Sequence, residues 1–339
     1  MARITLLAVA ILIGAGGCAG SAQPTASPSP SGTPGVQARI PVGRSPGSPA
    51  FGADALWVPN TADGTVSRID PSRNKVVATI PIGDPKQLQE AGCGADSVHS
   101  FMRETFLQRR CDLPSAVAVG AGSVWVARND QRALVRIDPS SNRVTNSIAV
   151  NAQPFEMAAN TRGVWLSDYL ADNVVRVDPR TNRVAAVIGV DHGPSGIALA
   201  DDAVWVVNTR AEKLTRIDPK NNRVVATIDV GAQPLPVAIV QNDVWVRNEQ
   251  ASTVMRIDPV RNQVVGSVRV AQHAGRDGGD EMAAVGPSLW VSGLYLARVD
   301  VLTGTVGKQL PQPGSSIAYG AGSLWVTDLV GTITRVSPS

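Results

Sequence analysis

Seven tryptophans constrain this chain more than any other feature. Trp57, Trp125, Trp165, Trp205, Trp245, Trp290 and Trp325 each sit between Val or Leu neighbours. Seven residues before every one is an alanine: Ala50, Ala118, Ala158, Ala198, Ala238, Ala283 and Ala318. Eight to eleven residues after every one is an arginine: Arg68, Arg136, Arg176, Arg216, Arg256, Arg298 and Arg335. In the first five units Asp-Pro closes that segment, as in Arg136-Ile137-Asp138-Pro139. Three landmarks kept in register through seven units define an internal repeat, and consecutive tryptophans in the middle of the chain are 40 residues apart.

Each unit reads as four short strands, with β-branched alternation and turn residues between the runs. In the second unit these are Ser115 to Val119, Val124 to Val126, Leu134 to Asp138 and Arg143 to Val150. Four strands in about 40 residues mark a β-propeller. The expected fold is all-β, a seven-bladed propeller with four-stranded blades. The seventh unit stops after its third strand, at Thr334-Arg335-Val336. The segment Val36 to Gly43 matches the fourth strand of the other units, for instance Val76 to Gly83. It is therefore expected to complete the last blade and protect both free edges. The tryptophan is expected to pack between blades, and the alanine to lie where the sheets converge. The Asp-Pro-x-x-Asn turn should bond its own backbone. The repeated arginine reads as a tie between blades, paired with the aspartate two places on.

The unit in residues 198–231 runs from Ala198 through Val204-Trp205-Val206 and Arg216-Ile217-Asp218-Pro219 to Asn222-Arg223-Val224-Val225-Ala226-Thr227-Ile228-Asp229-Val230-Gly231. This pattern resembles the YVTN-type bacterial surface propellers. It is also similar to the propellers related to streptogramin (virginiamycin B) lyase, and the resemblance covers residues 36–339. It implies the fold; it does not imply one activity, because such propellers include enzymes and binding proteins.

Ahead of the repeat stand Arg3, an apolar run from Ile4 to Ile13, and Gly14-Ala15-Gly16-Gly17-Cys18. A charged start, a short apolar core and small residues make a secretory signal. The small residues running into Cys18 resemble a bacterial lipobox, which implies lipidation at Cys18. The domains are then a lipoprotein signal over 1–18, an uncharged Pro/Ser-rich tether over 19–35, and the propeller over 36–339. The expected location is the extracytoplasmic side of a membrane, at the cell surface or in the periplasm. Two cysteines remain, Cys93 and Cys111, and a pair in an exported chain is most simply one disulfide. They flank a predicted helix inside an insertion at 84–113. Net charge is +3, no basic block occurs, and there are only four Phe and three Tyr. No nucleic-acid partner is expected. The chain is expected to be a monomer.

Function on a repeat scaffold should sit where the repeats differ. Nine residues before the tryptophan, blades carry Ser48, Ala116, Gly196, Pro236 and Ser316, but blades three and six carry Glu156 and Glu281. Two carboxylates at the channel mouth, in nearly opposite blades, suit a divalent cation or acid–base work. No other cofactor is expected. A long link before blade six contains His273. The remaining candidates on that ligand-binding face are His99, Arg128, Asp168, Tyr169, His192, Asn208, Arg247, Asn248 and Tyr295. The chain has no G-x-S-x-G, H-E-x-x-H, Walker or dinucleotide fingerprint. The leading expectation is a ligand- or protein-binding module or scaffold. The alternative is a metal-assisted lyase or hydrolase. Resemblance to streptogramin lyase implies a histidine base beside carboxylate-held magnesium, with His273, Glu281 and Glu156 as the nearest residues.

Overall fold

In the computed structural model, the residues described are 35–83, 114, 116–270, 281–293, 295–328 and 330–338. They form seven four-stranded antiparallel sheets arranged as a propeller. Blade one comprises Ala50–Gly52, Ala55–Asn60, Thr65–Asp70 and Lys75–Pro81. Blade three, typical of the longer ones, comprises Pro154–Asn160, Gly163–Asp168, Asn173–Asp178 and Arg183–Gly189. In blade seven the fourth strand is Val36–Pro41, which pairs antiparallel with Thr332–Val336. The N-terminal strand closes the ring, as the truncated seventh unit predicts. The insertion at 84–113, with Cys93, His99 and Cys111, lies outside the described residues, as do Cys18 and His273.

Burial explains the repeat. Second strands are buried along their length, because neighbouring blades cover both faces. Fourth strands alternate or are exposed, because they form the outer rim. The apolar core is a ring of seven clusters, each built from two adjacent blades. Every cluster takes its single tryptophan from the earlier blade of the pair, and all seven tryptophans are at most 1% exposed. Trp57, Trp125 and Trp325 each donate Nε1–H to the carbonyl of the glycine five residues earlier. Near the axis the inner strands come close: a Cβ at Gly196 would clash with the Leu235 carbonyl, so this position admits nothing larger.

The repeated arginine is indeed an inter-blade tie, but its partner differs from the one expected. Its guanidinium lies over the tryptophan of its own blade, 4.9 to 5.3 Å from the ring centre in blades one to four. Its Nη1 then donates across the blade boundary. Arg176 reaches the Pro219 carbonyl and Asn222 Oδ1, both at 2.7 Å. Arg68, Arg136, Arg216 and Arg335 make the same two bonds to the next turn. The aspartate two places on is already engaged with its own turn, accepting backbone N–H bonds from residues such as Ser72, Ser140 and Lys220. The turn asparagine serves twice, since it also adopts the left-handed conformation, with φ of 52 to 60° at Asn74, Asn142, Asn182, Asn222 and Asn262. Blade six breaks the scheme. Its turn carries Val301 and Gly304 where the others carry Pro and Asn, and Arg256 of blade five bonds Asp243 in its own blade instead.

Candidate functional site

Two faces of the disc now differ in kind. One holds the turns between first and second and between third and fourth strands, which repeat. The other holds the links between blades and the hairpins between second and third strands, where the repeats diverge.

At the axis of this link face the residues nine before each tryptophan form one ring. Ala116, Gly196, Pro236 and Ser316 are buried in it, while Ser48, Glu156 and Glu281 are half-buried. Each glutamate is held the same way. Its backbone N–H bonds the serine two residues after the blade's tryptophan, Ser167 at 3.1 Å for Glu156 and Ser292 at 2.8 Å for Glu281. Its carboxylate accepts a backbone N–H from the next blade's inner strand, from Ile197 for Glu156 and from Ile317, at 2.9 Å, for Glu281. Ser167 and Ser292 are buried and replace the Pro, Ala or Val found there in blades one, two and four. That serine is the sequence signal that pairs with each glutamate.

The two carboxyls differ in their proton affinity. Burial pushes Glu156 well above the usual carboxylate range, and the charge of Glu281 across the channel pushes it further. Burial also raises Glu281, but the Ser48 hydroxyl and the Ile317 N–H, with Ser316 beside them, offset part of the effect. Both carboxyls therefore keep their protons above the usual carboxylate range. Arg247, 2% exposed, reaches from blade five to donate Nη1–H to the Ser292 carbonyl at 2.6 Å, bracing the strand beside Glu281.

A second polar group joins blades three and four. Asp172 Oδ2 is 2.7 Å from His192 Nδ1, and its Oδ1 accepts from Arg210 Nη2 at 2.7 Å and Gly193 N–H at 2.8 Å. Burial alone would raise Asp172; the Gly193 N–H, His192 and Arg210 outweigh it and hold the carboxyl low. Arg210 also lies 5.1 Å over the Tyr169 ring, which stacks on Phe155 at 5.7 Å. Burial raises the Tyr169 hydroxyl. The His192 side chain is 78% exposed.

The other rim candidates divide. Tyr295 is exposed. Arg128 is half-buried and paired with Asp130 at 2.8 Å. Asn208, Asn248 and Asp168 are buried within their blades. Asn208 bonds Thr215, Asn248 bonds Thr253, and Asp168 accepts N–H bonds from Gln153, Leu170 and Ala171. Burial raises the Asp168 carboxyl against those bonds. A groove of about 660 Å³ runs between the outer strands of blades two and three, lined by Asn151, Val175, Val184, Val187 and Arg183.

Among the described residues no three His, Cys, Asp or Glu side chains gather to hold an ion. The Glu281 oxygens already receive O–H and N–H donors. These carboxyls fit protons or an external hydrogen-bond donor.

Fold and face together define a seven-bladed β-propeller with an acidic, half-buried channel mouth. Among solved structures, it is similar to the selenomethionine-substituted virginiamycin B lyase from Staphylococcus aureus, with a TM-score of 0.70 at 12% identity, covering 89% of this chain and 99% of that one. It is similar to a streptogramin B lyase, with a TM-score of 0.68 at 13% identity over 87% and 94% of the two chains. It is equally similar to the Cps50 (Swd1) β-propeller domain of Myceliophteria thermophila, with a TM-score of 0.70 at 13% identity over 90% and 99%. At such identities the likeness establishes the fold alone. No protein-family model and no curated protein sequence matches the chain.

Proposed function

We propose that this chain is an exported propeller, lipid-anchored at Cys18 and of the YVTN surface type, whose link face binds a ligand at the channel mouth. The observation that carries the reading is the Glu156–Glu281 pair. Two glutamates replace small residues in a ring position, and each is fixed by a matched serine and a neighbouring blade. Half-buried carboxyls with raised proton affinity hold a place for a ligand that brings donors of its own. The chemical class that fits is an amine or other cationic donor group. The His192–Asp172–Arg210 group and Tyr169 supply further polar and aromatic contacts on the same face. The metal-assisted lyase reading needs ligands beyond these two carboxylates, and its base, His273, lies outside the described residues.

Thermal unfolding tests the reading, with spermidine, then Mg²⁺, Ca²⁺ and Mn²⁺, against wild type and the Glu156→Gln/Glu281→Gln variant. A ligand at about 100 times its Kd stabilises by roughly 2.7 kcal/mol, a rise of about 4 °C for a chain of this size. A spermidine shift lost in the double variant supports the amine site. A shift with a divalent cation alone, lost in the variant, favours the lyase reading. No shift with any of them refutes the channel site.

A further inference from the structure

The two channel glutamates differ in what surrounds their carboxyls. Glu281, in blade six, is engaged at both oxygens. Its Oε1 accepts the Ser48 hydroxyl of blade one, and its Oε2 accepts the Ile317 N–H of blade seven at 2.9 Å. The Ser316 hydroxyl lies beside them, 3.4 Å from Ser48 Oγ. One side chain therefore joins three blades. They are the blades at which the two ends of the propeller meet. Blade seven takes its outer strand from Val36–Pro41, and Ser48 and Glu281 are 233 residues apart in the chain. Glu281 is an inner clasp on the ring where Val36–Pro41 is the outer one.

The repeat lets the same places be compared around Glu156. Its carboxyl also accepts the N–H of the next inner strand, from Ile197. There the likeness ends. In the next blade Glu281 has Ser316 and Glu156 has Gly196; two blades on, Glu281 has Ser48 and Glu156 has Pro236. Gly196 and Pro236 are buried, neither carries a hydroxyl, and proline has no N–H. A side chain at 196 is excluded, because a Cβ there would clash with the Leu235 carbonyl. Burial thus strips water from the Glu156 carboxyl, and among the described residues no hydroxyl replaces it. A carboxyl left with unused acceptor positions costs free energy, which a ligand's N–H groups recover.

We propose that Glu156 seats the ligand's ammonium group, that Glu281 is a positioning residue which clasps the ring without touching the ligand, and that the ligand accordingly presents one amine to the mouth. The ammonium supplies at Glu156 the donors that Ser48 and Ser316 supply at Glu281. This assignment rests on the channel-mouth reading above and divides the roles within it.

The test is calorimetric titration of wild type, Glu156→Gln and Glu281→Gln with butylamine and with its diamine counterpart, putrescine. Wild type should bind the two amines with affinities within a few-fold of each other. Glu156→Gln should weaken both about tenfold or more, as expected for losing hydrogen bonds to a charged group. Glu281→Gln should leave both nearly unchanged. Thermal unfolding reads the clasp: Glu281→Ala should lower the midpoint further than Glu156→Ala, because it strands the Ser48 hydroxyl and the Ile317 N–H together. Putrescine binding far more tightly than butylamine, with that advantage lost equally in both Gln variants, overturns the proposal, since both carboxyls would then hold ammonium groups. Amine binding that survives Glu156→Gln overturns it too, and equal midpoints for the two Ala variants overturn the clasp. These results leave the channel-mouth reading standing. Failure of wild type to bind either amine sinks both.

Discussion

At the scale of single residues, Glu156 and Glu281 give the molecule a distinctive response to pH. Both carboxyls bind protons more tightly folded than unfolded. From the ordinary glutamate value, about 4.3, up to their raised folded values, the native ring holds more protons than the unfolded chain. Stability therefore falls as pH rises through that window and stays lower above it. The turn aspartates act oppositely. Hydrogen bonds within their own turns hold Asp70, Asp138, Asp178, Asp258 and Asp300 low. Their contribution is present above the ordinary aspartate range and is lost as pH falls through the lowered values. Urea midpoints from about pH 3 to about pH 8 should show a maximum in the mildly acidic range. The Glu156→Gln/Glu281→Gln variant should flatten the limb above the maximum and leave the acid limb unchanged. A wild-type profile flat on the neutral side contradicts this assignment of the protons. The two glutamates stood out in the sequence because a repeat exposes any departure from itself. The serines that hold them did not, since Ser167 and Ser292 look ordinary until pairing brings them opposite. Asn208 and Asn248 mislead for a related reason: a polar residue at a strand end reads as rim, whereas here it bonds a threonine across the hairpin.

At the scale of elements, the arginine tie is the joint between blades, and it differs around the ring. Arg216 lies over Trp205 and donates to the Pro259 carbonyl and Asn262 of the next blade. Arg216→Gln should cost about 1.5–3 kcal/mol, the range for hydrogen bonds to a charged group. Arg298, whose Nε bonds Ser288 in its own blade, has no such turn ahead of it. Arg298→Gln should cost under about 1 kcal/mol, and urea denaturation of the two variants measures the difference. Equal costs would mean that the tie contributes nothing beyond the local strand. The four-strand unit and the seven-fold count were legible because a period of 40 residues recurs with fixed landmarks. The tie was legible only by half. Sequence proximity pointed Arg136 at Asp138, but its partners lie 43 and 46 residues away, at Pro179 and Asn182. One repeat length is invisible to any reading of a single unit.

At the scale of the whole molecule, closure is the property on which the rest depends. Val36–Pro41 covers the edge of Thr332–Val336, and Ile40 fills the cluster around Trp325, Ile333 and Leu56. A chain beginning at Val42 should unfold at a lower temperature and associate in a concentration-dependent way, because it exposes a strand edge beside an opened cluster. Light scattering through a thermal ramp measures both; an unaltered midpoint and particle size would mean that the ring closes without this strand. The pairing also has a consequence in time. Val36 and Val336 are partners separated by nearly the full length of the propeller, and a chain is synthesised from its N-terminus. The first strand of the fold to leave the ribosome is thus the last to find its place. Its partner strand, Thr332–Val336, is the last of the fold to be made. A nascent chain stopped a few residues early would be left holding that strand without its partner.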